Sequence, residues 1–134
     1  GLRIDAIARY KQQRFQPEIK IGSNVSLGHH CHIGAIHKIV ISNDVLIGSN
    51  VLITDHQHGK ITSEELNIKA VQRELHSNGP VYINENTWIG DNVVIMPNVT
   101  IGKNVIIGAN AVVTKDIPDN AVVGGIPATV IKQL

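Results

Sequence analysis

Residues 83–113 read INENTWIGDNVVIMPNVTIGKNVIIGANAVV, and an aliphatic side chain returns at every sixth position: Ile83, Ile89, Ile95, Ile101, Ile107 and Val113. Gly90, Gly102 and Gly108 directly follow three of them, and Thr87, Val93, Val99, Val105 and Ala111 stand four places after the first five. This period is neither the helical one nor the simple alternation of a strand. It marks an internal repeat. A short β-branched segment and a turn together use up one such unit, and a single unit cannot bury its aliphatic side chain. Stacked coils can, because each aliphatic rests on the one below and a continuous inner column forms. Glycine after the aliphatic suits a turn backbone that a side chain would crowd. An ordinary antiparallel sheet with accidental spacing is the weaker alternative.

The same period extends to earlier residues. Ile21, Leu27 and Ile33 begin it, the count slips by two residues, and Ile41, Ile47 and Ile53 resume it. The pattern then breaks for a long polar excursion over residues 54–80 before restarting at Ile83. Three short flat faces close a coil, so the hexads group as Ile21/Leu27/Ile33, Ile41/Ile47/Ile53, Ile83/Ile89/Ile95 and Ile101/Ile107/Val113. With this grouping both interruptions fall at one corner of the prism, where a site could be built. Loops as long as the excursion are usually functional or disordered. Within it, residues 63–75 are expected to hold a short helix with Ser63 as N-cap.

The flanks are read more simply. In residues 1–19, Leu2, Ile4 and Ala6 alternate with polar residues as in a strand, and residues 10–17 (YKQQRFQP) read as a projecting hairpin, either a solvated loop or an interface arm. The tail over residues 114–134 is expected to cap the last coil, with turns at Pro118, Gly124-Gly125 and Pro127. The whole is one domain, residues 1–134.

Composition limits the function classes. Charged residues are 17% and aromatics 3%, so aliphatic columns must supply the core. The net charge of +1 leaves no electrostatic footprint for nucleic acid. One cysteine, Cys31, excludes an intramolecular disulfide. No run is long and apolar enough to span a membrane, and no stretch reads as a signal peptide. The expectation is a cytoplasmic protein. The chain opens on Gly1 rather than Met, so residues upstream are expected to be missing.

The seven histidines cluster. His29, His30 and His32 lie on the first coil, His37 in the slip, His56 and His58 at the opening of the excursion, and His76 near its end. In the stacked arrangement His32, His37 and the segment 55–59 approach one another at the interrupted corner. Histidine moves protons near neutral pH, so an imidazole beside a loop-lined cleft can take a proton from a hydroxyl. Asp55, Glu64 and Glu65 are the carboxylates that could orient it. Plain turn residues facing water are the alternative, strongest for His29 and His76. A metal is a further alternative, since His56-x-His58 and His30-x-His32 each place two imidazoles on one side of an extended backbone. No nucleophile elbow or phosphate-binding loop is present.

From about Ile19 to Ile131 the chain resembles the hexapeptide-repeat acyltransferases, whose fold is a left-handed parallel β-helix. The hexads carry the resemblance, together with ITDHQHG (53–59), NTWIGDNVVIMPNVTIG (86–102), IGANAVVTKDIP (107–118) and GIPA (125–128). The DHQHG segment and the GLRIDA opening look most like the polysaccharide O-acetyltransferase branch.

The resemblance implies a homotrimer with active sites between neighbouring prisms, acetyl-CoA as donor, a saccharide acceptor and no metal. It implies a catalytic histidine at the start of the extended loop. A gapless count puts this on His58, slightly favoured, and the Asp-His dipeptide of other relatives puts it on His56, beside Asp55. The matching CoA-binding positions are Asp91, Ala109, Thr114 and Lys115. Thr129 stands where a second basic residue often follows GxPA, with Lys132 three residues on. Trp88 would wall the acceptor or pantetheine, or simply pack at a corner, and His30 and His32 match an acceptor-contacting turn. Cys31 lies outside these motifs, so a direct transfer is expected: an acetyl-CoA-dependent saccharide O-acetyltransferase. Two other readings are a γ-type zinc carbonic anhydrase on the same fold and a non-catalytic β-helix scaffold.

Overall fold

In the computed structural model, which describes all residues from Gly1 to Leu134, the backbone passes through three parallel sheets in fixed rotation. After strand β1 (Arg3–Ala6) and the hairpin β2 (Arg9–Tyr10) and β3 (Gln13–Arg14), winding begins. The first coil is β4 (Glu18–Ile21), β5 (Ser26–Leu27) and β6 (His32–Ala35); the second is β7 (Lys38–Ile41), β8 (Leu46–Ile47) and β9 (Leu52–Thr54). The excursion contains β10 (Gln57–His58) and β11 (Leu75–His76). The third coil is β12 (Val81–Ile83), β13 (Trp88–Ile89) and β14 (Val94–Ile95); the fourth is β15 (Thr100–Ile101), β16 (Ile106–Ile107) and β17 (Val112–Val113). Strands β18 (Ala121–Gly124) and β19 (Thr129–Gln133) close the end as an antiparallel pair.

The stacking follows the sequence grouping residue for residue. Ile21 pairs with Ile41, Leu27 with Ile47 and Ile33 with Ile53. Above them Ile41 meets Ile83, Ile47 meets Ile89 and Ile53 meets Ile95. Ile83, Ile89 and Ile95 then meet Ile101, Ile107 and Val113. From Ile33 onward these side chains belong to one core of 23 buried residues, against which Leu27 packs, while Ile21 at the open end is exposed. Thr87 is the polar exception in an inner column, and its hydroxyl donates to the Gly102 carbonyl at 3.0 Å.

The corners turn by a different residue from the one the sequence emphasised. Asn24, Asp44, Asn86, Asn104 and Asn120 at one corner, and His30, Asn50, Asn92 and Asn110 at the next, hold φ between 56° and 66°. Asparagine tolerates this left-handed conformation because its short polar side chain bonds locally. Here the bonds run between coils: the Asn86 amide donates to Asn104 Oδ1 at 2.8 Å, and the Asn104 amide to Asn120 Oδ1 at 3.0 Å. The hexad glycines serve close approach instead. A Cβ on Gly28 would lie 2.6 Å from the Gly48 carbonyl carbon, and one on Gly90 would lie 2.8 Å from the Ala109 nitrogen.

Three expectations change in detail. The helix expected over residues 63–75 is two 3₁₀ segments, Ser63–Asn67 and Ala70–Gln72, neither with a buried residue. Thr62, not Ser63, precedes the first, and no side chain caps it. A segment with no apolar face to bury cannot meet the cost of nucleating an α-helix. The excursion is tied at its neck instead, by antiparallel pairing of Gln57 with His76 and His58 with Leu75. The winding also continues past Val113: Ile117 bridges Ile101 in parallel and Val123 pairs with Ile107. The terminal cap is therefore β19 alone, laid on β18. No helix is long and apolar enough to cross a membrane.

Asp55 locks the interrupted corner. Its side chain is fully buried. Oδ1 accepts the Ile36 N–H at 2.9 Å, and Oδ2 accepts those of His37 at 2.8 Å and Lys38 at 2.7 Å. The extra residues of the slip are thus folded around one carboxylate from the coil above. Burial opposes its ionisation, but hydrogen bonds from His56, Ile36, His37 and Lys38 outweigh burial and hold the carboxyl below its usual range. A depressed folded-state pKa gives stability that is complete above the unfolded value of about 3.9 and is lost as pH falls through the folded value. Urea titrations are therefore expected to show Asp55→Asn less stable than the parent by about 1.5–3 kcal/mol at neutral pH. The gap should close as pH falls below about 4. A gap that persists undiminished in strong acid contradicts an ionised Asp55.

Candidate active site

Strand β9 leaves the third face of the prism at Thr54, and the next residues build a site. The Thr54 hydroxyl accepts the His56 N–H at 3.3 Å and donates to the His56 carbonyl at 3.1 Å, which fixes the backbone as the excursion begins. The His56 side chain is 15% exposed, and its Nδ1 lies 2.9 Å from Asp55 Oδ1. An ionised Asp55 is an acceptor only, so Nδ1 carries the hydrogen and donates. That leaves Nε2 as the basic nitrogen, with no protein partner, on a ring that lines a cavity.

This cavity has a volume of about 340 Å³ and is lined by Arg3, Asp5, Ile7, Tyr10, His32, His56, His58 and Leu75, a size fit for a small ligand. The neighbouring strands explain the set. Strand β1 lies parallel on β6, with Arg3 beside His32 and Asp5 beside Gly34. Gln13 of the hairpin exchanges two hydrogen bonds with the Leu75 backbone at 2.9 and 2.8 Å, which fastens the hairpin that carries Tyr10 to the excursion. Asp5 Oδ2 lies 3.1 Å from His32 Nε2 and 2.6 Å from Arg3 Nε. His58 is exposed, and its ring meets Tyr10 edge-on with centroids 5.8 Å apart. A more open cleft of about 440 Å³ lies beyond His58, lined by Lys60, Glu65, Arg73 and their neighbours. No imidazole hydrogen-bonded to a carboxylate lines it.

The structure brings together Asp55, His56, His58 and His32 of the residues singled out in the sequence. His37 contributes its N–H to Asp55, but its side chain is exposed. His30 is exposed in a left-handed turn at the preceding corner, outside the cavity. His76 bonds Asn78 at 2.8 Å and lies outside it too. Asp55, not Glu64 or Glu65, orients the imidazole. His30 stays outside the cavity, and no group of three or more His, Cys, Asp or Glu side chains is placed to hold a metal ion.

The residues expected to hold CoA lie elsewhere on the prism. Trp88 is 52% exposed on the second face, stacked between Leu46 and Ile106. The Asp91 carboxylate accepts the Ser49 N–H at 2.9 Å and so fastens a turn. Ala109, Thr114, Lys115 and Lys132 are exposed. Within one chain none of them lines the histidine cavity. Sequence reasoning missed Asp5, Arg3 and Tyr10. The alternation of Arg3 and Asp5 with Leu2 and Ile4 was the available signal, and it acquires chemical meaning once β1 is placed in register on β6.

Comparison with known proteins adds to this geometry. Residues 80–115 match the family described as bacterial transferase hexapeptide (six repeats). The chain is 39% identical, over 99% of its length, to WbbJ of Escherichia coli K12, which is named for lipopolysaccharide biosynthesis O-acetyl transfer; it covers 66% of that protein. It superposes on a maltose O-acetyltransferase from Clostridium difficile 630 with a TM-score of 0.77 at 34% identity, covering all of this chain and 67% of that one. A galactoside acetyltransferase in complex with coenzyme A gives a TM-score of 0.65 at 30% identity, covering 98% of this chain and 65% of that one. The chain thus spans about two thirds of the length of these relatives. The stacked hexads, the interrupted corner and these likenesses agree: the chain belongs to the hexapeptide-repeat acetyltransferase family.

Proposed function

We propose that the chain is an acetyl-CoA-dependent O-acetyltransferase acting on a saccharide hydroxyl, with a left-handed coil as in the family. The Asp55–His56 pair, opening on a cavity beside the excursion, is the observation that carries this reading. Acetyl-CoA supplies the acetyl group as a thioester. His56 Nε2 takes the proton of the acceptor hydroxyl as its oxygen bonds to the thioester carbonyl carbon. Asp55 keeps Nδ1 protonated and stabilises the imidazolium that forms. Backbone N–H groups at the coil corners are suited to meet the developing oxyanion. As the carbon–sulfur bond breaks, the imidazolium returns its proton to the leaving sulfur, giving CoA and the acetyl ester.

His56 is preferred to His58 because His56 alone is hydrogen-bonded to a buried carboxylate. For the donor, Lys115 and Lys132 are exposed cations without an ion-pair partner, suited to CoA phosphates as point charges, and Trp88 offers an exposed apolar face for pantetheine. Trp88 and Lys132 lie on the second face and Lys115 follows β17 two coils away from Thr54 on the third, so none of them lines the histidine cavity of the same chain. A donor groove between two copies of a homotrimer reconciles the two, and a cytoplasmic location accords with this donor.

Turnover of acetyl-CoA with a panel of saccharides tests the reading. His56→Ala is expected to lower kcat by about 10²- to 10⁴-fold, while His58→Ala stays within about tenfold of the parent. The reverse pattern moves the base to His58. Wild-type rates in both variants contradict the mechanism. Lys115→Ala is expected to weaken acetyl-CoA binding by about tenfold, as for one lost charge-assisted contact.

A further inference from the structure

The cavity holds a second imidazole–carboxylate pair that the transfer itself does not use. Asp5 comes from β1, outside the hexads, and its Oδ2 lies 3.1 Å from His32 Nε2. Arg3 Nε holds the same oxygen at 2.6 Å. His32 and His56 stand on either side of Gly34: a methyl group there would be 3.4 Å from His32 Nε2 and 3.5 Å from His56 Cε1. The two rings are thus separated only by bare backbone. Ile7, Tyr10 and Leu75 contribute apolar surface to the same cavity. The lining therefore offers imidazole and carboxylate groups together with an aromatic ring and aliphatic carbon. A sugar ring has matching chemistry, with a hydroxyl-bearing edge and a face of C–H groups.

We infer that Asp5 and His32 form an acceptor subsite that grips the hydroxyl adjacent to the one acetylated, with Tyr10 against the ring face. His32 Nε2 and His56 Cε1 both lie within 3.5 Å of the same point beside Gly34, close enough for neighbouring hydroxyls of one sugar ring to meet the two. The acceptor is thereby a vicinal diol, presented so that one oxygen reaches His56 while its neighbour is held by the Asp5–His32 pair. Asp5 is a positioning residue here. It sets the orientation of His32 and takes no part in bond making. This inference rests on the proposed acetyl transfer.

Three proteins are compared: the parent, Asp5→Asn and His32→Gln. Each is assayed with a saccharide that the parent acetylates and with the analogue lacking the hydroxyl next to the acetylated position. Asp5 is partly exposed and the asparagine variant keeps its shape, and urea midpoints confirm that each variant is folded. Both variants are expected to raise the acceptor KM by about ten- to a hundredfold, to leave acetyl-CoA affinity unchanged and to alter kcat far less. The parent should discriminate against the deoxy analogue, and the variants should lose most of that discrimination. Saturation-transfer NMR of the same saccharide with His56→Ala and with His56→Ala/Asp5→Asn gives a readout independent of turnover, and binding should fade in the double variant. Parent-like KM and parent-like discrimination in both variants overturn the subsite while leaving the acetyl transfer intact. A parent that acetylates no saccharide overturns both.

Discussion

A buried carboxylate at the interrupted corner is the constraint on which the site depends. An ionised group taken out of water is costly unless donors replace its hydration, and Asp55 has four such donors. Three are backbone N–H groups of the two-residue slip and the start of β7, and the fourth is the His56 ring. One side chain therefore determines both how the first coil departs from the hexad and which nitrogen of His56 faces the cavity. Fold and chemistry meet in a single hydrogen-bonded knot.

The stacked coils make that knot rigid. Inner columns of isoleucine and valine fill the prism, and asparagine and aspartate side chains at the corners join each coil to the next. The excursion is different in character. Ile61, Leu66 and Val71 are at least 74% exposed, and its 3₁₀ segments bury nothing. Its neck is fixed by β10 and β11 and by Gln13 of the hairpin. His32 and Thr54 thus lie on the rigid face, and the remainder of the cavity wall comes from segments attached to it. Rigid placement of the reacting groups is what general-base catalysis requires.

The repeat was legible because period six leaves few packings open, and the predicted column partners recur in the observed register down to Ile95 over Val113. The clustering of histidines at one corner was legible for the same reason, since both breaks in the count coincide there. The turn residue was not. Glycine drew attention, while the left-handed positions are asparagines whose role depends on partners a full coil away. Asp5 was hidden because its significance arises only from the parallel pairing of β1 with β6. The choice between His56 and His58 could not be made by counting, as it turns on which ring a buried carboxylate touches. The tail was underestimated because Ile117 follows Val113 by four residues rather than six, which masks the return of the period at Val123.

Titration of acetyl-CoA into the purified protein by calorimetry, with mass in solution followed by light scattering, tests the central claim most directly. The account predicts one acetyl-CoA bound per chain on a particle of three chains. Absence of binding to a folded three-chain particle contradicts the donor, and full binding to single chains contradicts a groove shared between copies.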